Sequence, residues 1–186
     1  ETPADLVRSV GLIGANHDVL VDFTLTRRDA DAEQRLLSYA LGAVGVVGVS
    51  ISVNASKGNA LRVGGVETQL GGSSLVRSLN AVDLAVQADT FFQLNDDVAA
   101  SMYARASEWA GDVPGGSDAV ASPAEVVDLY SGVAGLGLTV AKALGATLRG
   151  VDSIASSVEL AGKNAETNGV EARFDVVGVD PGAFRV

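Results

Sequence analysis

The stretch that decides the fold is Asp128–Leu138, which reads DLYSGVAGLGL. Residues 126–130 are an apolar run typical of a strand, and residues 138–144 have helix-forming composition. Between them the turn contains three glycines, Gly132, Gly135 and Gly137. Glycine lets a backbone turn sharply and approach a ligand closely. The stretch therefore predicts a strand, a tight turn and a helix.

A second apolar run follows this helix and ends at an acidic residue. Residues 148–151 precede Asp152, which lies about where a carboxylate can hydrogen-bond the hydroxyl pair of a ribose. The order strand, glycine turn, helix, strand and acid predicts a site for a nucleotide-type cofactor. A tight turn that binds nothing is the alternative, and the acid at this position counts against it.

The glycine spacing narrows the choice of cofactor. The turn reads G-x-x-G-x-G, which differs from the G-x-G-x-x-G that cradles a pyrophosphate, so a dinucleotide is disfavoured. The order acid, Leu, aromatic, small residue, Gly at the strand end resembles the first motif of S-adenosylmethionine-dependent methyltransferases. That cofactor has no phosphate to place on a helix terminus.

A second motif lies upstream and makes the resemblance more specific. Residues 90–95, TFFQLN, end an alternating strand and precede a predicted helix. In this order, TFFQLN and then DLYSGVAGLGL resemble the RNA uracil-C5 methyltransferase family. The resemblance covers roughly residues 45–175 and includes ISVN at 51–54, VGGVETQL at 63–70 and NAETNGV at 164–170.

The resemblance implies a role for each matched position. Gln93 would contact the methionine part of S-adenosylmethionine, and Asp152 would bind its ribose. Tyr130 and the glycines of the turn, Gly132 and Gly135 among them, would shape the pocket. Phe91 and Phe92 would wall it, although two phenylalanines at a strand end are also typical of core packing. Gln93 is harder to explain by packing, because a buried amide needs hydrogen-bond partners.

The departures from the family pattern concern catalysis. The resemblance implies that a cysteine thiolate adds to C6 of uracil and that a base later removes the C5 proton. This chain has no cysteine, and we therefore expect it to transfer no methyl group by itself. Ser131 and Ala134 stand where the family commonly has cysteine and glycine. Asp180 follows the last predicted strand, where an acid meets the adenine amino group or is a solvated turn residue.

Charge is the main evidence against RNA as a partner. The formal net charge is -10, and a negative protein repels a phosphate backbone. Residues 1–88 hold 7 Lys and Arg against 9 Asp and Glu, so they are nearly neutral and most of the negative charge lies in residues 89–186. The N-terminal part is therefore the better candidate to face RNA. Its basic residues include Arg27, Arg28, Arg35, Lys57, Arg62 and Arg77, which are also explained as ordinary solvated surface.

The N-terminal half has the pattern of a mainly antiparallel α+β domain. Strand-like alternation occurs at 19–25, 47–54 and 82–87, with apolar residues on one face and polar ones on the other. Residues 30–41 have one apolar stripe and predict a helix between the first two strands. We expect one face of the sheet to be covered and the other to be left polar.

The C-terminal half has the pattern of a doubly wound, Rossmann-like domain. A helix over 97–110 carries Val98, Met102, Ala106 and Trp109 on one stripe, and we assign Met102 and Trp109 to the core. Asn95 or Asp96 is the predicted cap of this helix. A helix over 153–168 and a strand over 172–177 follow the glycine motif. The predicted fold class is thus α/β, with an incomplete Rossmann-like methyltransferase domain at 89–186, a preceding α+β domain at 1–88 and a linker near 111–123.

Three functions of different classes remain. The first is an S-adenosylmethionine-dependent RNA methyltransferase, acting on a uridine in rRNA or tRNA. The second is a catalytically silent module that binds the cofactor, and the third is another α/β enzyme with a different acceptor or a nucleotide cofactor. The lack of a signal-peptide pattern predicts a cytoplasmic protein without a membrane partner, and the single His and absent Cys disfavour a metal site. The oligomeric state is left open.

Overall fold

The computed structural model describes residues 5–60, 65–112 and 125–178. The chain folds into two compact units. Of the described residues, the first unit comprises those up to Val76 together with Gln87–Asp89, and the second comprises Arg77–Val86 and those from Thr90 onward.

The first unit is built on a sheet of four strands in the order β1-β2-β3-β4. These strands and the helix of this unit are β1 (Val7–Ala15), β2 (Asp18–Leu25), α1 (Ala30–Leu41), β3 (Val46–Val53) and β4 (Thr68–Gly71). Strand β1 pairs antiparallel with β2, and β3 pairs antiparallel with β4. Strands β2 and β3 are parallel, because α1 connects them as a crossover. The predicted mainly antiparallel α+β layer is confirmed.

Helix α1 begins and packs as its sequence indicates. The side chain of Asp29 accepts a hydrogen bond from the Ala32 N–H at 2.9 Å and caps the helix. Leu37 and Ala40 are buried against Val49 and Ile51 in the core of this unit. In the same unit, the Arg8 guanidinium donates hydrogen bonds to backbone carbonyl oxygens of residues 56–60. These bonds tie that segment to β1.

The polar face of the β2–β3 pair is not left to solvent as the sequence predicted. Asp22, Ser50 and Ser52 are all at most 5% exposed. The Asp22 carboxylate accepts from the Ser50 hydroxyl at 2.5 Å and the Ser52 hydroxyl at 3.4 Å. Buried polar groups are tolerated when they are hydrogen-bonded. The polar residues of β2 and β3, which the sequence pattern assigned to solvent, are therefore buried without losing their hydrogen bonds.

The second unit combines a hairpin with a three-stranded parallel sheet. Its elements are β5 (Ser74–Leu79) from Arg77 onward, β6 (Val82–Gln87) up to Val86, α2 (Asp96–Gly111), β7 (Glu125–Leu129), α3 (Gly135–Leu144), β8 (Thr147–Asp152), α4 (Ala155–Asn168) and β9 (Ala172–Val176). Strands β7, β8 and β9 lie side by side in that order and are all parallel, with α3 and α4 as crossovers. The predicted Rossmann-like α/β arrangement is confirmed, although α3 begins three residues earlier than the sequence indicated.

Helix α2 presents a different face to the core from the one predicted. Met102 is 53% exposed and Trp109 is 62% exposed, so their assignment to the core is wrong. Ala99 and Tyr103 are buried instead. Both stripes have helical spacing, and periodicity alone does not say which one faces the sheet. The predicted cap is confirmed at Asn95, whose side chain accepts from the Val98 N–H at 3.0 Å.

The β5–β6 hairpin packs with the second unit. Leu79, Val82 and Leu84 share one buried cluster with residues of α2, α3 and α4. This placement differs from the sequence-based boundary after residue 88, which assigned the hairpin to the first domain. Most of the linker near 111–123 lies outside the described residues. No helix in the described part of the chain is long and apolar enough to cross a membrane.

Candidate cofactor site

The glycine turn between β7 and α3 has an unusual backbone. Tyr130, Gly132 and Ala134 have φ angles of +62°, +53° and +67°. Glycine adopts this left-handed region without strain, whereas other residues rarely do. Ala134 therefore stands at a position where the backbone favours glycine, which is the residue that the family pattern commonly has there.

Hydrogen bonds fix this turn to the end of β8. The Ser131 N–H donates to the Val151 carbonyl at 3.0 Å, and the Gly132 N–H donates to the Asp152 carboxylate at 2.8 Å. The other Asp152 oxygen accepts from the Ile154 N–H at 2.9 Å. Asp152 thus joins the glycine turn to the start of α4, a role that the sequence did not reveal.

The carboxylate of Asp128, in β7, also stabilises the turn. Helix α3 has no side-chain cap at Ala134, and the Asp128 carboxylate accepts the Gly137 N–H of its first turn at 3.0 Å. A Cβ on Gly137 would lie only 2.6 Å from the same oxygen, so the contact needs glycine there. Burial raises the pKa of Asp128 to about 6, the Gly137 hydrogen bond lowers it, and the charge of Asp152 raises it further.

A cavity of about 230 Å³ opens beside this turn. Its walls come from three segments, namely the chain after β6, the middle of α2 and the β7–α3 turn. The lining residues are Phe91, Phe92, Gln93, Met102, Tyr103, Asp128, Leu129, Tyr130, Ser131, Gly132, Val133, Gly135 and Leu136. The structure therefore brings six of the predicted site residues, from two motifs far apart in the sequence, to one cavity.

The TFFQLN segment reaches this cavity as an irregular connection between β6 and α2. Phe91 is 72% exposed, so the core-packing interpretation does not hold for it. Phe92 is partly buried and packs against the hydrophobic core of the unit. Gln93 is half-buried, and in the described part of the chain its side-chain amide has no hydrogen-bond partner. That amide is available to a ligand in the cavity.

Asp152 is the one predicted site residue that does not line the cavity. It lies behind the turn, with a carboxylate oxygen on Gly132 and the other on Ile154. Each oxygen keeps a second lone pair, so a ribose hydroxyl has an acceptor at this strand end. Its role in ribose binding stays a prediction.

Sequence reasoning missed two residues of the site. Asp128 is in the quoted motif, but nothing local shows that its carboxylate reaches Gly137. Tyr103 is 8% exposed and lines the cavity, and a Cβ on Gly135 would lie 3.3 Å from its ring. Burial, and then the charge of Asp128, raise the pKa of Tyr103. The only signal for Tyr103 was its helical spacing from Ala99.

The basic residues proposed to face RNA are partly engaged elsewhere. Arg28 pairs with Glu33 at 2.7 Å, and Arg27 pairs with Asp5 at 3.1 Å. Arg35 and Lys57 are exposed, whereas Arg62 and also Asp180 lie outside the described residues. Within those residues, no group of three or more His, Asp or Glu side chains is arranged to hold a metal ion.

Several known methyltransferases are similar to this chain in sequence. The chain is 31% identical over 125 residues to the tRNA (uracil(54)-C(5))-methyltransferase of Pyrococcus abyssi, which covers 67% of this chain and 28% of that protein. It is 34% identical over 97 residues to the 23S rRNA (uracil(747)-C(5))-methyltransferase RlmC of Shewanella sp. (strain ANA-3), which covers 52% of this chain and 23% of that protein. No protein-family model matches the sequence.

Solved structures agree with the sequence matches. The crystal structure of the Pyrococcus abyssi tRNA (uracil-54, C5)-methyltransferase in complex with S-adenosyl-L-homocysteine superposes with a TM-score of 0.63 at 27% identity, over 87% of this chain and 36% of that one. The Methanocaldococcus jannaschii tRNA m1G37 methyltransferase superposes with a TM-score of 0.52 at 19% identity, over 100% of this chain and 52% of that one. The second likeness concerns the fold alone. The chain spans about a quarter of the length of the curated relatives it matches.

Proposed function

We propose that this chain, which resembles the RNA uracil-C5 methyltransferases in sequence and in fold, supplies the part of such an enzyme that binds S-adenosylmethionine. One observation carries the proposal: Gln93 and the glycine turn, from separate motifs, line the same cavity. The proposed substrate is a uridine in tRNA or rRNA, and the proposed location is the cytoplasm.

The electrostatics of the turn favour this cofactor over a dinucleotide. In a dinucleotide site, free N–H groups at the helix N-terminus bind the pyrophosphate. Here the Gly137 N–H is already bound by the Asp128 carboxylate, which lines the cavity. A carboxylate at this position repels a phosphate and attracts the positive sulfonium of S-adenosylmethionine.

The proposed roles follow the position of each residue. The Gln93 amide contacts the methionine part, and Phe91, Phe92 and Tyr130 form aromatic walls. The backbone at Gly132 and Gly135 leaves room for the ligand. Asp152 accepts hydrogen bonds from the ribose while it holds Gly132.

Calorimetric titration tests the proposal. The chain should bind S-adenosylhomocysteine, and NAD should give no measurable heat. Asp152→Ala should weaken S-adenosylhomocysteine binding by about 1.5 to 3 kcal/mol, which is about 10- to 150-fold in Kd, because it removes a charge-assisted hydrogen bond.

Asp175→Ala is the matched control for that titration. Asp175 lies on the adjacent strand β9, is half exposed and is 3.8 Å from Arg149. Its removal should leave the Kd unchanged. Tighter binding of NAD than of S-adenosylhomocysteine would reject the proposed cofactor, and an unchanged Kd in Asp152→Ala would reject the ribose assignment.

A second candidate is a binding module without catalysis, and one observation favours it. None of the 186 residues is a cysteine, so no thiolate of this chain can add to uracil C6. Incubation of the chain with tritiated S-adenosylmethionine and uridine-containing RNA should leave the RNA unlabelled. Labelled RNA would show that the chain is catalytic by another route.

A further inference from the structure

Arg77 of β5 holds the segment that carries Gln93. Its guanidinium lies 3.2 Å from the Asp96 carboxylate and donates a long hydrogen bond of 3.4 Å to the Gln93 carbonyl. The same guanidinium lies over the ring of Phe92, 5.1 Å from the centroid. One side chain therefore contacts two residues of the cavity wall and the first turn of α2.

The burial of Arg77 sets it apart from other paired arginines of the chain. Its side chain is 16% exposed, whereas those of Arg28 and Arg105 are 56% and 62% exposed. Within the described residues, Arg77 Nε and one Asp96 carboxylate oxygen are buried without a hydrogen-bond partner. A partly buried ion pair with unsatisfied buried atoms is a poor source of stability. The arrangement is better explained by the geometry that it imposes.

Apart from the packing of Phe92, the segment that Arg77 contacts has little support from hydrogen bonds. Residues 91–93 belong to neither a helix nor a strand. In the described part of the chain, the contact from Arg77 is the one hydrogen bond that their backbone makes. The position of the Gln93 side chain in the cavity thus depends on a backbone that is held by the packing of Phe92 and by the contact from Arg77.

We propose that Arg77 is a positioning residue for Gln93, and that it sets the affinity for the methionine part of the cofactor without touching the cofactor itself. This inference rests on the proposed function. Because Gln93 is assigned to the methionine part, loss of Arg77 should affect only ligands that carry an amino acid group. The nucleoside part should bind as before.

Two ligands separate this role from a merely structural one. S-adenosylhomocysteine carries the amino acid group, whereas 5′-methylthioadenosine has the same nucleoside without it. Arg77→Ala should raise the Kd for S-adenosylhomocysteine about tenfold and leave that for 5′-methylthioadenosine within about twofold. Arg77→Lys keeps the charge beside Asp96 but not the planar contact with Phe92. Its Kd for S-adenosylhomocysteine should therefore lie between those of the unchanged chain and of Arg77→Ala.

Arg105→Ala is the matched control. Arg105 also makes one ion pair, 2.8 Å from Glu108, and one ring contact, 5.2 Å from the centroid of Trp109. Neither partner lines the cavity. This variant should leave both Kd values unchanged.

The outcomes are distinguishable. If the unchanged chain does not bind S-adenosylhomocysteine, the proposed function fails and takes this inference with it. If it binds and Arg77→Ala changes both affinities equally, or neither, only the positioning role is refuted. Should Arg77→Ala not fold by circular dichroism, Arg77→Lys and Asp96→Asn decide the question, since each should show the same selective loss in smaller measure.

Discussion

Asn164 of α4 offers the sharpest test of how the glycine turn is supported. Its side-chain oxygen accepts the Ala85 N–H at 2.8 Å. Its amide donates to the Ala85 carbonyl at 3.2 Å and to the Val133 carbonyl at 3.0 Å. One residue that is 1% exposed thus ties α4 to strand β6 and to the turn of the cavity.

The structure sets the size of the effect. Asn164→Ala removes a fully buried side chain and leaves one buried and two partly buried backbone groups without these partners, so at about 1 kcal/mol each it should lower the free energy of unfolding by about 3 kcal/mol. Asn168, four residues later, also makes three hydrogen bonds, with the Asp83 N–H, the Asp83 carbonyl and the Asn164 carbonyl. It is only half-buried, so water replaces the lost bonds. Asn168→Ala should cost about 1 kcal/mol or less.

Urea unfolding followed by fluorescence measures both variants. The single tryptophan of the chain, Trp109, lies in α2 and reports on the second unit. We expect the midpoint to shift at least twice as far for Asn164→Ala as for Asn168→Ala, with similar slopes. Equal shifts would refute the reasoning that burial, and not the number of hydrogen bonds, decides the cost.

Two further predictions concern the first turn of α3. Because the folded pKa of Asp128 is raised to about 6, its stabilising contribution is fully present below pH 3.8 and is lost as pH rises toward 6. The free energy of unfolding of the unchanged chain, relative to Asp128→Asn, should fall by about 2 kcal/mol between pH 4 and pH 7 in urea titrations, and a flat difference would contradict a raised pKa of Asp128. Gly137→Ala should destabilise the chain by about 2 kcal/mol, since its Cβ would meet Asp128. Gly162→Ala in α4, where a Cβ meets nothing within 4 Å, should instead stabilise it by up to about 1 kcal/mol, and a loss in both would count against the steric explanation.

Several features of the fold were predictable because their causes are local. Helix α1 follows from one apolar stripe in the sequence, and the observed bounds equal the predicted ones. The strand, glycine turn and helix around Gly132 follow from residues that are adjacent in the chain. The order of the two motifs was enough to indicate the methyltransferase family.

Other features needed contacts between distant parts of the sequence. The alternation of β2 and β3 looked half-solvated, yet Asp22 and Ser50 are buried as a hydrogen-bonded pair. Met102 and Trp109 of α2 were assigned to the core, but Ala99 and Tyr103 are buried instead. In both cases the pattern gives the spacing, while packing decides which face is inside.

The sequence by itself determined the alternating strands and helices around the glycine turn, the turn itself and the residue types beside it. Only the tertiary structure decided that Gln93 and Gly132 line one cavity, that Asp152 lies behind it and that Arg77 reaches the Gln93 carbonyl. The physical reason is the range of the interactions. Backbone conformation and helix caps depend on neighbours within a few residues, whereas a cavity depends on side chains from strands and helices that meet only after the chain has folded.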